Sequence, residues 1–292
     1  MVRDSQGIVI RPPSEAGSFL LQTTIGCSHN QCTFCVTYRF VKYSARPFEK
    51  VKEDIQLASR WNPKVTRAFL CDGDAMCLPT EDIERILDCL NENFPRLERV
   101  GIYANARDIL AKSPEELALL SSKKLGIGYL GLESGNDEIL EKVRKGATSE
   151  EMVHAVRKAE EAGIAISVIV LLGLGSNVMS RRHAEDSARV VSRMNPSYVS
   201  ALTLMLLPGT PMYKDFERGE FEIMDPASIL QELRWLLDGI DVKGPCVFRT
   251  NHASNYLPLG GNLPEDKKRM LKLIDRGLSD TSILRPESRR AL

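Results

Sequence analysis

The chain has 292 residues, 43% of them hydrophobic and 27% charged. Lysine plus arginine equals aspartate plus glutamate at 39 each, so no global charge favours nucleic acid or an anionic membrane. The opening MVRDSQGIVIRPPSE has charge and proline where a secretory leader needs an apolar run, and the longest apolar stretch, AISVIVLLGLG, falls short of the roughly twenty residues of a membrane span. These features predict a cytoplasmic chain without a membrane partner, whose seven cysteines are thiols or metal ligands rather than disulfides.

Short β-branched apolar runs alternate with amphipathic stretches. Residues 18–26 (SFLLQTTIG) predict a buried strand, followed by a cysteine-rich loop and a helix near 49–60. Residues 66–73 (TRAFLCDG) predict a second strand and 79–93 a helix opened by proline. A third strand follows at 99–105, then a helix with Ser113 as N-cap and Glu116 completing a capping box. Residues 126–134 predict the fourth strand, and SEEMVHAVRKAEEAG a helix closing on Gly163. The fifth strand is IAISVIVLLGLG with its helix in HAEDSARVVSRM, and the sixth is SYVSALTLMLLPGTP with its helix in PASILQELRWLLDG.

Six strand–helix units in series predict an α/β fold with a parallel sheet, either open or closed as a partial (β/α)6 TIM-type barrel. No linker interrupts the series. The expected organisation is an N-terminal extension over residues 1–17, the barrel over 18–243 and a short C-terminal cap over 244–292, less regular than the rest. Parallel α/β folds bind ligands at the carboxyl ends of their strands. The strands here end in the cysteine loop, CDGDAM, ANARD, GLESGND, GLGSN and LLPGTP, which is where the polar and glycine-rich residues collect.

Cys27, Cys32 and Cys35 stand within nine residues, with gaps of four and two. A structural zinc site wants four ligands, commonly two separated pairs. Cys71, Cys77, Cys89 and Cys246 are isolated, and His29 lies awkwardly inside the first gap. A cubane iron–sulfur cluster normally takes four thiolates, so three would leave one iron without a protein ligand. A zinc site and packed core thiols remain the alternatives on spacing alone.

A cysteine loop after the first strand of a six-unit strand–helix chain, with Phe34 before the last cysteine, resembles the radical S-adenosylmethionine (SAM) superfamily. That family's usual first gap is three residues, and this one is four. Further resemblance lies in Asp72–Asp74 (DGD), where the family carries a motif holding the SAM amino group, in GLES (Gly131–Ser134), in LESGNDEILEKVRKG and in PGTP. The pattern is similar to the group containing methylthiotransferases, cobalamin-type radical methylases and anaerobic coproporphyrinogen oxidase.

The resemblance implies an enzyme holding a [4Fe–4S] cluster on Cys27, Cys32 and Cys35. It implies reductive cleavage of SAM to a 5′-deoxyadenosyl radical that abstracts hydrogen from an unassigned substrate, with a flavodoxin or ferredoxin-type reductant. The implied SAM contacts are Phe34, Gly73, Asp74, Asn105, Glu133, Ser134, Arg144 and Gly173. Arg107 and a polar cluster in the stretch 248–267, Asn251, His252, Asn255 and Tyr256, are expected to face a small-molecule or macromolecular substrate; His154 and His183 are expected to be surface or packing residues. Neutral charge argues against a nucleic-acid substrate. No second cysteine cluster follows the sixth unit, and a cobalamin domain would need about another hundred residues, so neither an auxiliary cluster nor cobalamin-dependent methylation by this chain alone is expected. A non-catalytic iron–sulfur or zinc protein on the same scaffold, and a porphyrinogen-oxidase-like activity, are the competing expectations.

Overall fold

In the computed structural model, which describes residues 9–291, the short apolar runs become strands and the amphipathic runs become helices. The chain gathers into two units. The first comprises the chain up to Asn30, Thr37–Leu130 and Lys158–Ile166; the second comprises Gln31–Val36, Gly131–Arg157 and everything from Ser167.

In the first unit β1 (Phe19–Gln22) leads to a two-stranded antiparallel pair, β2 (Thr24–Ile25) with β3 (Ser44–Ala45). Helix α1 (Phe48–Trp61) precedes β4 (Arg67–Cys71), and α2 (Thr80–Asn93) precedes β5 (Arg99–Ala104). Short α3 (Ala106–Ala111) and α4 (Pro114–Ser122) lead to β6 (Leu125–Glu133), which passes into the second unit at Gly131. β1, β4, β5 and β6 pair in that order, all parallel. Four successive residues of β4, Ala68 to Cys71, have no exposure, as a strand covered on both faces requires. The capping box of α4 forms as expected: the Ser113 hydroxyl accepts from the Glu116 backbone at 3.1 Å, and the Glu116 carboxylate accepts from the Ser113 backbone at 2.6 Å.

The second unit continues with α5 (Asp137–Lys142), α6 (Ser149–Glu161, whose last residues belong to the first unit), β7 (Ala165–Leu172), α7 (Ser176–Met194) and β8 (Tyr198–Thr203). After it come α8 (Pro211–Glu217), α9 (Pro226–Gly239), β9 (Cys246–Arg249), β10 (Gly260–Leu263) and α10 (Lys267–Ser279). β7, β8 and β9 are parallel, and β10 returns antiparallel to β9. The α/β class read from the sequence is the one adopted. Residues 244–292 are more regular than their composition suggested: β9 extends the sheet beside β8, with Val247 opposite Tyr198, and α10 buries Met270 and Ile274. Four-residue strands are too short to show a period.

Candidate active site

In the first unit, the segments after β4 and β5 build a polar centre. β4 ends at Cys71, and Asp72 turns the chain with a left-handed φ of +77° while its carboxylate takes the Gln22 amide at 2.8 Å. Gly73 follows, donating its N–H to the Gly26 carbonyl at 3.1 Å. A Cβ on Gly73 would lie 2.7 Å from the Cys27 Cβ and 2.7 Å from the Tyr38 ring, so glycine is required here by the close passage of the cysteine loop.

Asp74 has no exposed surface. Its Oδ2 accepts from Arg107 Nη2 at 3.0 Å and from the Ser28 hydroxyl, whereas Oδ1 is buried with no donor. Arg107 donates in turn to Ser28 and, through Nε, to Asp108 Oδ1 at 3.3 Å. Asp108 Oδ2 and the Asn105 Nδ2 donor are likewise buried without a partner. Burial pushes the Asp108 carboxyl up to about 7, helped by the hydrogen bond and like charge of Asp74 and opposed by Arg107. Two unmet carboxylate oxygens and one unmet amide N–H suit a ligand bearing both an amino group and a carboxylate.

None of the seven cysteines forms a disulfide, and Cys27, Cys32 and Cys35 are half-buried. Cys27 lies in the first unit and Cys32 and Cys35 in the second. Among the described residues no three His, Cys, Asp or Glu side chains stand together as a metal-holding group. The fit to a cluster rests on the donor set, three thiols in one loop, and on the unmet oxygen of Asp74. Between Cys32 and Cys35, Thr33 is pinned at both ends: its N–H donates to the Val143 carbonyl at 3.0 Å and its carbonyl accepts from Met212 at 3.1 Å. Phe34 packs against Ile139, Val143, Leu174, Met179 and Met212.

Also in the second unit, Glu133 ends β6 at a left-handed φ of +62° and pairs with Lys145 at 2.9 Å, both side chains largely covered. Gly131 leaves the space that this carboxylate fills. Arg144 is exposed and lines a surface cleft of about 450 Å³ with Asp137, Thr148 and Glu151. Ser134 is fully buried; its hydroxyl meets His183 Nδ1 at 2.8 Å and accepts from the Asn136 N–H at 3.0 Å. His183, on α7, is itself fully buried, its Nε2 3.2 Å from the Leu171 carbonyl and 3.7 Å from Glu232. A carbonyl only accepts, so Nε2 carries the hydrogen that points to Leu171. Gly173 donates its N–H to buried Glu232 at 2.7 Å, and Ser180 donates to the same carboxylate at 2.5 Å. Sequence reasoning missed this network, because its partners come from the ends of β6 and β7 and from α7 and α9.

Within 248–267, Asn251 is exposed and His252 is half-buried, its Nδ1 2.9 Å from the Ser254 hydroxyl. Asn255 is spent on the fold: it accepts from Thr203 at 2.9 Å and donates to the Ala201 and Thr250 carbonyls at 2.8 and 3.0 Å. The Tyr256 hydroxyl donates to Glu287 at 2.7 Å, and the Arg290 guanidinium stacks 4.2 Å from its ring centre. Tyr256 and Gly173 border the same small cavity, about 20 Å³.

Among known proteins, the family described as "Radical SAM superfamily" matches residues 21–188. A heme chaperone of Bacillus subtilis is 23% identical over 173 residues, covering 57% of this chain and 44% of the chaperone. An uncharacterized protein of Methanocaldococcus jannaschii is 22% identical over 236 residues, 75% of this chain and 71% of that protein. The solved structure of Escherichia coli coproporphyrinogen III oxidase, described as a radical SAM enzyme, superposes with a TM-score of 0.55 at 18% identity, covering 76% of this chain and 52% of the oxidase. The chain thus spans about half the length of two of these relatives.

Proposed function

The chain belongs to the radical SAM superfamily, and we propose that it is a SAM-cleaving enzyme whose cluster ligands are Cys27, Cys32 and Cys35. Members of the superfamily are enzymes that use a [4Fe–4S] cluster and SAM and need an external reductant; a flavodoxin or ferredoxin is proposed here. No helix among the described residues is long and apolar enough to cross a membrane.

The observation that carries the reading is the buried Asp74 carboxylate, half engaged and half unmet, three residues beyond β4 and packed behind the cysteine loop through Gly73. Its Oδ1 accepts from the SAM amino group, while Arg107 and Ser28 fix Oδ2 and so aim Oδ1. Asn105 Nδ2 donates to the SAM carboxylate. Thr33, tied at both its backbone groups, sets the path of the segment that carries Cys32 and Cys35. Phe34 closes the apolar cluster beneath that segment and keeps water from it. When bound, the cluster and SAM supply a one-electron reductive cleavage that yields a hydrogen-atom abstractor.

The test is anaerobic reconstitution with iron and sulfide, followed by SAM and dithionite. Formation of 5′-deoxyadenosine and methionine by the wild type and its loss in Cys32→Ala are expected. A Cys32→Ala protein that still turns over SAM contradicts the ligand assignment, and a well-formed cluster that leaves SAM intact contradicts the enzyme reading.

A further inference from the structure

Asp108 was not among the residues that the sequence singled out, yet it shares one guanidinium with Asp74. Arg107 places Nη2 on Asp74 at 3.0 Å and Nε on Asp108 at 3.3 Å. The two carboxyls lie within hydrogen-bonding reach of each other, and each has one buried oxygen, Asp74 Oδ1 and Asp108 Oδ2, that no donor satisfies. Facing acceptors in a buried place are reconciled by a proton or by an added cation. The other titratable groups around Asp108 do not replace either one. Tyr43 donates to Cys77 at 2.9 Å, Cys77 donates to the Asp74 carbonyl at 2.8 Å, and Lys112 gives its ammonium to the Leu78 carbonyl at 2.8 Å.

We propose that Asp108 is a second carboxylate of the amino-group seat, holding one proton against Asp74 in the free protein and releasing it to solvent when the SAM amino group takes its place. The inference rests on Asp74 as the SAM amino-group acceptor. With the proton between the carboxyls, Asp74 is engaged at both oxygens and offers no acceptor. With the proton gone, two carboxylates converge on the incoming donors. Charge balances: one proton leaves as a ligand with sulfonium, ammonium and carboxylate, one net positive charge, enters. Asp108, pushed up to about 7 by burial and Asp74, is then a group that SAM pulls back to the ionised form.

The test is isothermal titration of SAM into the reconstituted, unreduced protein, in pairs of buffers with different protonation enthalpies. Protons lost by the amine itself count equally in wild type and Asp108→Asn, so the difference isolates Asp108. The wild type is expected to release about one proton more than the variant at pH 6 and about none more at pH 8.5, with its affinity relative to the variant rising about tenfold between pH 6 and 8. Equal proton counts at pH 6 overturn the inference. Should Asp108→Asn not fold, infrared difference spectra of the wild type at pH 6 decide: SAM is expected to remove one protonated-carboxyl C=O band, and an unchanged band overturns the proposal. SAM that binds without proton release sinks this inference alone; a cluster-loaded protein that does not bind SAM sinks the amino-group seat with it.

Discussion

Glu232 is the buried carboxyl group through which α9 holds the end of β7 and the start of α7, and removing it measures that dependence without any cofactor. Its carboxylate, with no exposed surface, accepts from the Gly173 N–H at 2.7 Å and the Ser180 hydroxyl at 2.5 Å, and stands 3.7 Å from His183 Nε2. Glu232→Ala leaves two buried donors unmet at roughly 1–3 kcal/mol each, a total of about 3–5 kcal/mol once partial relaxation is counted. Glu232→Gln keeps a carbonyl for Gly173, and the Ser180 hydroxyl turns to accept from the new amide, for a cost of about 1 kcal/mol. At roughly 2–4 °C per kcal/mol for a chain of this size, the alanine variant should melt about 10 °C below the wild type and the glutamine variant about 3 °C below. Thermal unfolding followed by circular dichroism reads both. An alanine variant as stable as the glutamine variant would refute the claim that these hydrogen bonds hold Gly173 in place.

Three other outcomes follow from the geometry. Gly73→Ala forces a Cβ to within 2.7 Å of the Cys27 Cβ and the Tyr38 ring, so the reconstituted protein should carry well under half the wild-type iron; full iron loading would show that the loop yields freely. Asn255→Ala removes three buried hydrogen bonds to Thr203, Ala201 and Thr250, so it should lower unfolding stability by about 2–4 kcal/mol. A stable Asn255→Ala protein with only a raised KM would instead place that side chain on substrate. Asp108 binds its proton more tightly folded than unfolded, so its contribution is complete below pH 4 and is lost as pH rises through about 7. Wild-type stability measured from pH 4 to 8 should therefore fall relative to Asp108→Asn, and parallel curves would contradict the raised carboxyl.

Local signals carried much of the fold. Ser113 and Glu116 close their capping box within four residues of chain, and Gly163 ends its helix at φ +84°, as a helix-terminating glycine does. The parallel strands were legible because burial on both faces leaves continuous apolar runs, as in Ala68–Cys71. Pairings distant in sequence were not legible. Ser134 resembled a ligand contact, but its hydroxyl shares a hydrogen bond with His183 on α7, a histidine that is wholly interior. The polar run around Asn255 resembled a recognition loop, although the amide serves the backbone of β8 and its surroundings. Asp108 was hidden for a related reason: ANARD showed an amide and a cation at a strand end, and only the folded chain brings Asp74 to the acid beside them.

The central claim, a cluster on three thiols with one iron left for SAM, is tested most directly by electron paramagnetic resonance of the dithionite-reduced, reconstituted protein. The account predicts a reduced [4Fe–4S] signal whose g-values shift when SAM is added, and no such signal in Cys32→Ala. A spectrum indifferent to SAM, or one zinc per chain in place of iron, would contradict it.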